Sequence, residues 1–418
     1  MTPKIEKRIK LVQAGKVPAG YKRTKIGIVP KEWHEVRFHD MFSRLMRKNK
    51  EGNTNVLTIS AQYGLINQEE FFNKTVASDD KSNYFLLEKG EFAYNKSYSS
   101  GYPFGALKRL DLYEKGVVSP LYICFSANAA NECPDFYVHY FEAGLMNKEI
   151  QAFAQEGARN HGLLNIAVDD FFNSNLLCPP KKEQEKIAEI LAAQDRVIAL
   201  KEKLIAEKQR RKHSLVDFYL NYKNCKEIPL NEICVLNDTC VKKENEEKSF
   251  YYLDIASVNN GRIDIPQNKQ KIKDAPVRAR RLIKKYDVLM STVRPYLHAF
   301  AFIDFDAQEF VASTGFAVLS FKSKFDSYLV YHQLFSRKLD KQYEALLVGG
   351  NYPALNSKDI ENLLVFIPSQ EEKKEKIYNL LSAADEEISL LQKDLEQEKL
   401  KKKSLMQLLL TGLVRVSA

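Results

Sequence analysis

The side chains that most often carry chemistry in proteins, cysteine and histidine, do not fall at catalytic or metal-binding spacings in this chain. The six cysteines stand at positions 124, 133, 178, 225, 234 and 240, and no two of them form Cys-x-x-Cys. The seven histidines form no His-x-x-His or His-Glu-x-x-His pattern of the kind that holds zinc. Sparse, unpaired cysteines in a long chain suit a reducing cytosol. We therefore predict a cytoplasmic protein without a metal site.

Motifs for other common chemistries are missing as well. The sequence has no Gly-x-x-x-x-Gly-Lys-Ser/Thr loop for phosphates and no Asn/Asp-Pro-Pro-aromatic tetrad of the kind that amino-methyltransferases carry. Pro134-Asp135 is not followed by Glu-x-Lys or Asp-x-Lys within about thirty residues, as a nuclease motif requires. The serine-rich segment "NKSYSSGYPFG" lacks a Gly-x-Ser-x-Gly elbow. These absences oppose a self-sufficient methyltransferase or nuclease and indicate a binding protein with no catalytic residue and no cofactor of its own.

The composition is that of an ordinary globular protein with a basic balance. The chain has 418 residues, 44% of them hydrophobic and 28% charged, which predicts two or three domains. Its net charge of +9 favours a polyanionic partner, although solvated lysines alone explain such a value nearly as well. We expect no membrane association, because no stretch of about eighteen apolar residues occurs.

A repeat organises the whole chain. Ile187 and Ile377 lie 190 residues apart. The same offset relates Leu191 to Leu381, Asp195 to Asp385, Ser214 to Ser404 and Leu215 to Leu405. Upstream, Gly64 matches Gly261 and three pairs of segments match, with offsets that drift between 194 and 197: "VLTIS" (56–60) with "YLDIA" (252–256), "GEFAYNKS" (90–97) with "YDVLMSTV" (286–293), and "VVSPLYICF" (117–125) with "VASTGFAVL" (311–319). Repeats of this length indicate two copies of one structural unit.

Each copy reads as a mixed α+β domain followed by a long helix. Short alternating runs bounded by Gly, Asn and Asp predict strands, and 136–156 and 326–347 read as helical. Apolar residues at steps of three and four from 183 to 222 and from 377 to 409 predict helices, the first about 60 Å long. Two such helices that pack over their length between separate domains should run antiparallel. The predicted fold is therefore two pseudo-symmetric α+β domains separated by two long antiparallel helices, a coiled-coil spacer. The predicted boundaries are an N-terminal helical segment at 1–20 near the C-terminus, domains at 21–180 and 226–369, and spacer helices at 181–225 and 370–418.

These features resemble the specificity subunit of type I restriction-modification systems. The resemblance rests on Pro179 followed by Glu183-Gln184-Glu185-Lys186-Ile187 at a helix start, on "GIVPKEW" (27–33) and on the ending "KKKSLMQLLLTGLVRV". The second helix start departs from the family pattern, because Lys373-Lys374 replace Glu-Gln. The resemblance implies a non-catalytic subunit with two target-recognition domains for double-stranded DNA. It also implies two methyltransferase subunits bound through the helices and separate motor-nuclease subunits, with S-adenosylmethionine, ATP and magnesium on those partners only.

Given that resemblance, two pairs of matched loops are the candidate DNA contacts. The segments 95–109 and 291–298 occupy equivalent places in the two copies, as do 157–162 and 348–353. They supply glycines, aromatic rings and cationic groups that suit phosphate and base edges. The candidate DNA-binding residues are Lys96, Tyr98, Ser99, Tyr102, Lys108, Arg109, Arg159, Asn160, Arg294, Tyr296, His298, Asn351 and Tyr352.

Alternatives stay open at this point. The loops also read as surface loops with buried tyrosines or as plain glycine turns. The basic tracts 208–213 and 399–403 read best as solvated helix faces, with DNA contact or methyltransferase docking as the other interpretations. A coiled-coil scaffold with two protein-binding end domains is the alternative for the whole chain. Salt-dependent binding to a defined duplex would separate the two functions.

Overall fold

The structure is a computed structural model that describes residues 3–60, 63–72, 80–98, 101–156, 164–221, 223, 225–241, 248–347 and 353–416. The chain forms two compact units. One comprises Met1–Leu200 together with Asp394–Ala418, and the other comprises Lys201–Lys393. The first unit is thus built from two separate stretches of sequence, whereas the second is continuous.

The first unit centres on an antiparallel sheet packed against short helices. Its helices are α1 (Pro3–Gln13), α2 (Phe38–Met41), α3 (Gln68–Phe72), α4 (Pro134–Glu142), α5 (Asn147–Phe153), α6 (Val168–Phe172) and the first half of α7 (Lys181–Tyr219). Its strands are β1 (Tyr21–Arg23), β2 (Ile28–Pro30), β3 (His34–Arg37), β4 (Phe42–Leu45), β5 (Leu57–Ser60), β6 (Gly64–Asn67), β7 (Phe85–Glu88), β8 (Phe92–Asn95), β9 (Ala106–Arg109), β10 (Lys115–Val118), β11 (Ile123–Ala127), β12 (Gln155–Glu156), β13 (Leu164–Asn165) and β14 (Asn175–Cys178). The central sheet has the order β4-β11-β8-β9, and β14 pairs with β3 just before the chain enters α7.

The second unit repeats this plan. Its strands are β15 (Lys226–Pro229), β16 (Cys234–Leu236), β17 (Ser249–Leu253), β18 (Val258–Asn259), β19 (Arg262–Ile263), β20 (Gln270–Lys271), β21 (Ala279–Leu282), β22 (Val288–Ser291), β23 (Phe300–Phe302), β24 (Phe310–Ser313), β25 (Phe316–Phe321) and β26 (Leu364–Ile367). Its helices are α8 (Lys324–Gln333), α9 (Arg337–Leu346), α10 (Ser357–Glu361) and most of α11 (Glu371–Leu409). The order β16-β25-β22-β23 matches β4-β11-β8-β9, and β15 pairs with β26 as β3 pairs with β14.

The register confirms the repeat read from the sequence. Phe92 pairs with Arg109 across β8 and β9, and Val288 pairs with Phe302 across β22 and β23. Each predicted helical stretch is in fact two helices. In the first domain the break falls at Gly144, whose φ of +68° ends the helical run. In the second domain Ser336 caps a new helix by accepting a hydrogen bond from the Leu339 amide.

The long helices run antiparallel within each unit, as the sequence predicts. In the first unit Gln194 donates to the side chain of Glu398 at 2.7 Å, and Lys402 reaches Asp195 at 2.5 Å. In the second unit Lys208 reaches Glu387 at 2.5 Å. Buried Ile187 and Leu191 join the core of the first domain, and their counterparts Ile377 and Leu381 join the core of the second. Burial of this apolar seam is the main stabilising term for both helices.

The first unit is closed by the residues that follow α11. The buried Trp33 donates its indole N–H to Glu183 at 2.9 Å, and Arg415 binds the same carboxylate through two nitrogens. Tyr21 donates its hydroxyl to the main-chain oxygen of Gly412 at 2.6 Å. A Cβ on Gly412 would lie 2.5 Å from Pro30, so only glycine fits. The "VPKEW" segment, the Glu-Gln helix start and the C-terminal residues therefore form one buried junction.

Among the helices of the described residues, none is both long enough and apolar enough to cross a membrane.

Candidate nucleic-acid interface

The first candidate loop joins the adjacent strands β8 and β9. Gly105 permits the turn, because its φ is +79° and a Cβ there would lie 2.2 Å from the main-chain oxygen of Asn95. Tyr98, near the middle of the loop, has 62% of its surface exposed. An exposed tyrosine on a loop held by a rigid strand pair is well suited to contact a base or a phosphate.

Three further candidates of this loop, Tyr102, Lys108 and Arg109, already have partners inside the domain. Tyr102 donates its hydroxyl to Glu142 at 2.7 Å, and the Lys108 ammonium pairs with the same carboxylate. Arg109 donates to Asp111 at 2.7 Å and to Asp135 at 2.6 Å. Burial would raise the pKa of Glu142, but Lys108 and Tyr102 outweigh it and hold that pKa below its usual value. These three side chains would have to exchange partners to reach DNA.

The matching loop of the second domain joins β22 and β23. Arg294 and His298 both have left-handed backbone conformations, with φ of +48° and +54° on either side of a short 3-10 helix. Such conformations cost about 1–2 kcal/mol for a non-glycine residue and are concentrated at functional sites. Tyr296 is 48% exposed, and the His298 ring lies 2.8 Å from an Asp340 carboxylate oxygen. The loop therefore holds its polar side chains in a fixed, strained arrangement.

Main-chain hydrogen bonds tie the first candidate loop of each domain to the chain that ends or follows the second candidate segment. In the first domain the Leu164 amide, which follows the segment 157–162, donates to the carbonyl of Lys96 at 3.1 Å. In the second domain the Arg294 amide donates to Pro353 at 3.0 Å, and Leu355 donates to Thr292 at 2.9 Å. In each domain the first candidate loop is therefore hydrogen-bonded to residues at or just beyond the end of the second candidate segment.

Five of the candidates, namely Ser99, Arg159, Asn160, Asn351 and Tyr352, lie outside the described residues. The assignment of all thirteen candidates to DNA contact stays a prediction.

A cluster that the sequence analysis did not pick out anchors each domain to the helices. In the second unit Asp385 accepts from Lys212 at 2.6 Å and from Tyr328 at 2.7 Å, and the His332 ring lies 3.1 Å away. In the first unit Asp195 lies 2.5 Å from Lys402 and 3.8 Å from His139. The sequence contained a signal for this cluster, because Lys212 and Lys402 keep the same 190-residue offset as Asp195 and Asp385.

The electrostatics of the second cluster favour a charged aspartate beside a neutral histidine. Burial alone would raise the pKa of Asp385, but His332 and Lys212 lower it below the usual range. Burial lowers the pKa of His332 despite the nearby carboxylate, and it does the same to His139 in the first unit. These groups position α4 and α8 on the long helices and hold the scaffold that presents the loops.

A cavity of about 280 Å³ opens beside the first cluster. Its charged and titratable lining residues are Tyr63, Lys108, Arg109, Asp111, His139, Glu142, Asp195 and Lys402. These cations are each matched by a carboxylate, so the cavity has no unbalanced charge that would select a ligand. Within the described residues, no group of three or more His, Cys, Asp or Glu side chains is arranged to hold a metal ion.

Comparison of the chain with known protein families matches it to one of them. The model of the type I restriction modification DNA specificity domain matches twice, over residues 30–209 and 222–400. The chain belongs to this family. Each match covers one copy of the repeat and most of its long helix, so this specificity subunit carries two specificity domains.

Relatives of full length support the same assignment. The putative type I restriction enzyme MjaX specificity subunit of Methanocaldococcus jannaschii is 25% identical and covers 95% of this chain and 97% of its own. The MjaVIII specificity subunit of the same organism is 26% identical over 68% of this chain and 71% of its own. A solved chain from a study of type I R-M complex assembly and conformational transition covers 92% of this chain and 99% of its own, with a TM-score of 0.54 and 15% identity. That similarity shows a shared fold.

Proposed function

We propose that this specificity subunit reads a bipartite, asymmetric target in double-stranded DNA, with one half-site for each domain and a short unread gap between them. The observation that carries the proposal is that two domains of different sequence present a loop with an exposed tyrosine, Tyr98 or Tyr296, at the equivalent edge of matching sheets. Identical readers related by a two-fold axis address palindromes, so different readers should address different half-sites. The length of the long helices, about 58 Å for 39 residues, is the element we propose to set the gap.

We further propose that the chain contributes no catalytic residue, and that methyltransferase and motor-nuclease subunits supply the chemistry. S-adenosylmethionine, ATP and magnesium would then bind to those partners, in the cytoplasm where the DNA is. Two leucines at the repeat offset support two methyltransferase subunits. Leu200 and Leu390 are 67% and 58% exposed on α7 and α11, so each long helix presents a leucine to solvent at the same place in the repeat, as docking of one methyltransferase subunit on each helix requires.

The target prediction is tested by letting the subunit, assembled with its methyltransferase subunits, modify a pool of random-sequence duplexes. Sequencing of the modified molecules should give two unlike half-sites at one fixed spacing. A palindrome or one uninterrupted site would contradict the proposal. A helical turn of four residues inserted after both Lys201 and Lys393 should lengthen the gap and leave both half-sites unchanged.

The reading residues are tested most sharply at Arg294. Arg294→Ala should relax one base position in one half-site, because a bidentate arginine–guanine contact contributes about 1–3 kcal/mol of discrimination. Arg337→Ala is the matched control, since Arg337 is an exposed arginine on α9 of the same domain. Uniform weakening across all sequences would make Arg294 a phosphate contact instead of a base reader.

Docking of the methyltransferase subunits is tested by native mass spectrometry of the assembled complex. Leu200→Glu and Leu390→Glu should each remove one methyltransferase subunit, and the double variant should remove both. Leu112→Glu is the control, because Leu112 is 64% exposed but lies outside the helices. Unchanged stoichiometry in the double variant would place the docking surface elsewhere.

A further inference from the structure

One short segment of the second domain holds most of the net charge of the molecule. Residues 262–285, "RIDIPQNKQKIKDAPVRARRLIKK", contain nine basic side chains and two carboxylates, a net charge of +7 against +9 for the whole chain. The equivalent stretch of the first domain, 65–90, contains three basic and five acidic side chains, a net charge of −2. The two domains are therefore electrostatically unlike at the same place in the fold.

The segment separates its apolar and basic side chains. Ile272, Ala275, Ala279 and Leu282 pack with the buried Phe250 and Val311 in a small satellite core. The basic side chains between them, Lys271, Lys273, Arg278 and Arg280, are exposed. The apolar residues thus anchor the segment, and the cationic groups face solvent along β20, the following turn and β21.

Local carboxylates neutralise part of this surface and fix its geometry. Lys269 pairs with Glu309 at 2.7 Å, and Lys284 pairs with Asp238 at 3.4 Å. The Arg280 Nε donates to the main-chain oxygen of Val277 at 3.1 Å, which holds the guanidinium at the turn. Arg278, Arg280 and the exposed Lys285 are the side chains on which the test below rests.

We propose that the segment 262–285 is a phosphate-contacting surface for duplex DNA and gives the second domain the larger electrostatic share of binding. The inference rests on the proposed DNA-binding function and adds the surface that is used. A solvated face that serves only solubility normally intersperses both signs of charge. Here nine cations outnumber the two carboxylates of the segment and the two, Glu309 and Asp238, that pair with it. Such a surface attracts a polyanion, because each phosphate that it neutralises releases condensed counterions.

The test measures binding of the full chain to a random-sequence duplex as a function of salt concentration. The variant Arg278→Gln/Arg280→Gln/Lys285→Gln removes three positive charges from the segment. Since each phosphate contact contributes about 0.9 to the slope of log affinity against log salt, the slope should fall by about 2–3. Affinity near 0.1 M salt should weaken by roughly tenfold or more.

Two matched variants make the result specific. Lys4→Gln/Lys7→Gln/Lys10→Gln removes the same charge from exposed positions of α1 and should leave the slope close to that of the unaltered chain. Arg278→Lys/Arg280→Lys keeps the charge and should retain the slope, as phosphate contacts require only charge. Circular dichroism checks that all variants are folded.

The outcomes separate this inference from the proposed function. Salt-dependent duplex binding that the triple variant leaves unchanged would overturn the inference alone. Lost assembly with the methyltransferase subunits, without a change in slope, would also overturn it, by making the segment a protein-docking surface. Failure of the unaltered chain to bind any duplex would overturn both proposals.

Discussion

The strand β9 and helix α4 of the first domain pack through charged side chains, whereas their counterparts in the second domain pack through aromatic rings. Arg109 binds Asp135 at 2.6 Å in the first domain. At the equivalent positions Phe302 and Tyr328 meet edge to face, with ring centroids 5.0 Å apart. One strand–helix geometry therefore accepts two different chemistries.

A similar replacement of an aromatic side chain accounts for the cavity beside the cluster of His139, Asp195 and Lys402 in the first domain. Val138 lines the cavity of the first domain next to Gly64. At the position of Val138 the second domain has Tyr331, whose hydroxyl would lie 2.5 Å from a Cβ on Gly261. What both domains keep is the histidine–aspartate–lysine cluster. The comparison teaches that the contacts between each domain and the long helices are kept in both copies. The side chains that strand and helix present to each other differ between the two domains.

The largest effect should come from removing Asp385. Asp385→Ala leaves the Lys212 cation and the Tyr328 hydroxyl without their partner, which should cost about 3 kcal/mol. Asp195→Ala in the more exposed and looser first cluster should cost only about 1 kcal/mol. Hydrogen exchange of α8 and α4 peptides measures both opening free energies. Equal losses of opening free energy would mean that the two clusters stabilise their helices to the same extent, contrary to this comparison.

A double-mutant cycle on the Lys108–Glu142 pair comes next. Glu142→Phe alone should cost about 2–3 kcal/mol, because the Lys108 side chain is only 11% exposed and would be left unpaired. Replacing both partners by the residues of the second domain, Lys108→Ala with Glu142→Phe, should recover most of that loss. Chemical unfolding followed on α4 provides the measurement. Additive losses of stability in the double variant would show that the residues of the second domain cannot replace the Lys108–Glu142 pair in the first.

The facing residues themselves should differ in stability cost. Phe302→Ala should destabilise the second domain by about 2 kcal/mol, since it removes ring contacts with Tyr328 and leaves a void. Arg109→Ala should cost less than about 1 kcal/mol, because Asp111 and Asp135 are more than half exposed. The same hydrogen-exchange assay ranks the two variants, and the reverse order would contradict the comparison.

The smallest effect is a dependence on pH that involves both clusters. Burial lowers the pKa of His332 and His139, so the unfolded chain binds protons that the folded chain does not. Stability from these groups is thus present above the unfolded pKa of about 6.5 and is lost as pH falls, by at most about 1.4 kcal/mol per pH unit for each histidine. Unfolding at pH 7.5 and 5.5 measures the loss, and His332→Gln should reduce it in α8.

The sequence predicted the parts of the fold that depend on periodicity. The helix repeat was visible because an apolar seam restricts positions such as Leu191 and Leu381 at every turn, and the strand matches followed from alternation. The charged and aromatic faces could not be predicted, because Arg109 and Asp135 meet only after β9 and α4 pack. The cluster of His139, Asp195 and Lys402 joins three distant segments for the same reason.

The candidate interface was predictable in location more than in chemistry. The loops 95–109 and 291–298 lie at equivalent places, since each follows the matching strand of its sheet, β8 or β22. The intramolecular partners of Lys108 and Arg109 had no signal in the sequence. The basic segment 262–285 had a clear signal, but a net charge computed over the whole chain concealed it.

The split construction of the first unit has a consequence for synthesis of the protein on the ribosome. Residues 201–393 are continuous and can fold as soon as they emerge, whereas the first unit waits for residues 394–418 to reach Trp33 and Glu183. The first unit begins to be synthesised before the second, but it can finish folding only after the second unit has been synthesised. Trp33 is the only tryptophan of the chain and is fully buried at that junction. The time course of its fluorescence therefore reports when the C-terminal residues complete the first unit.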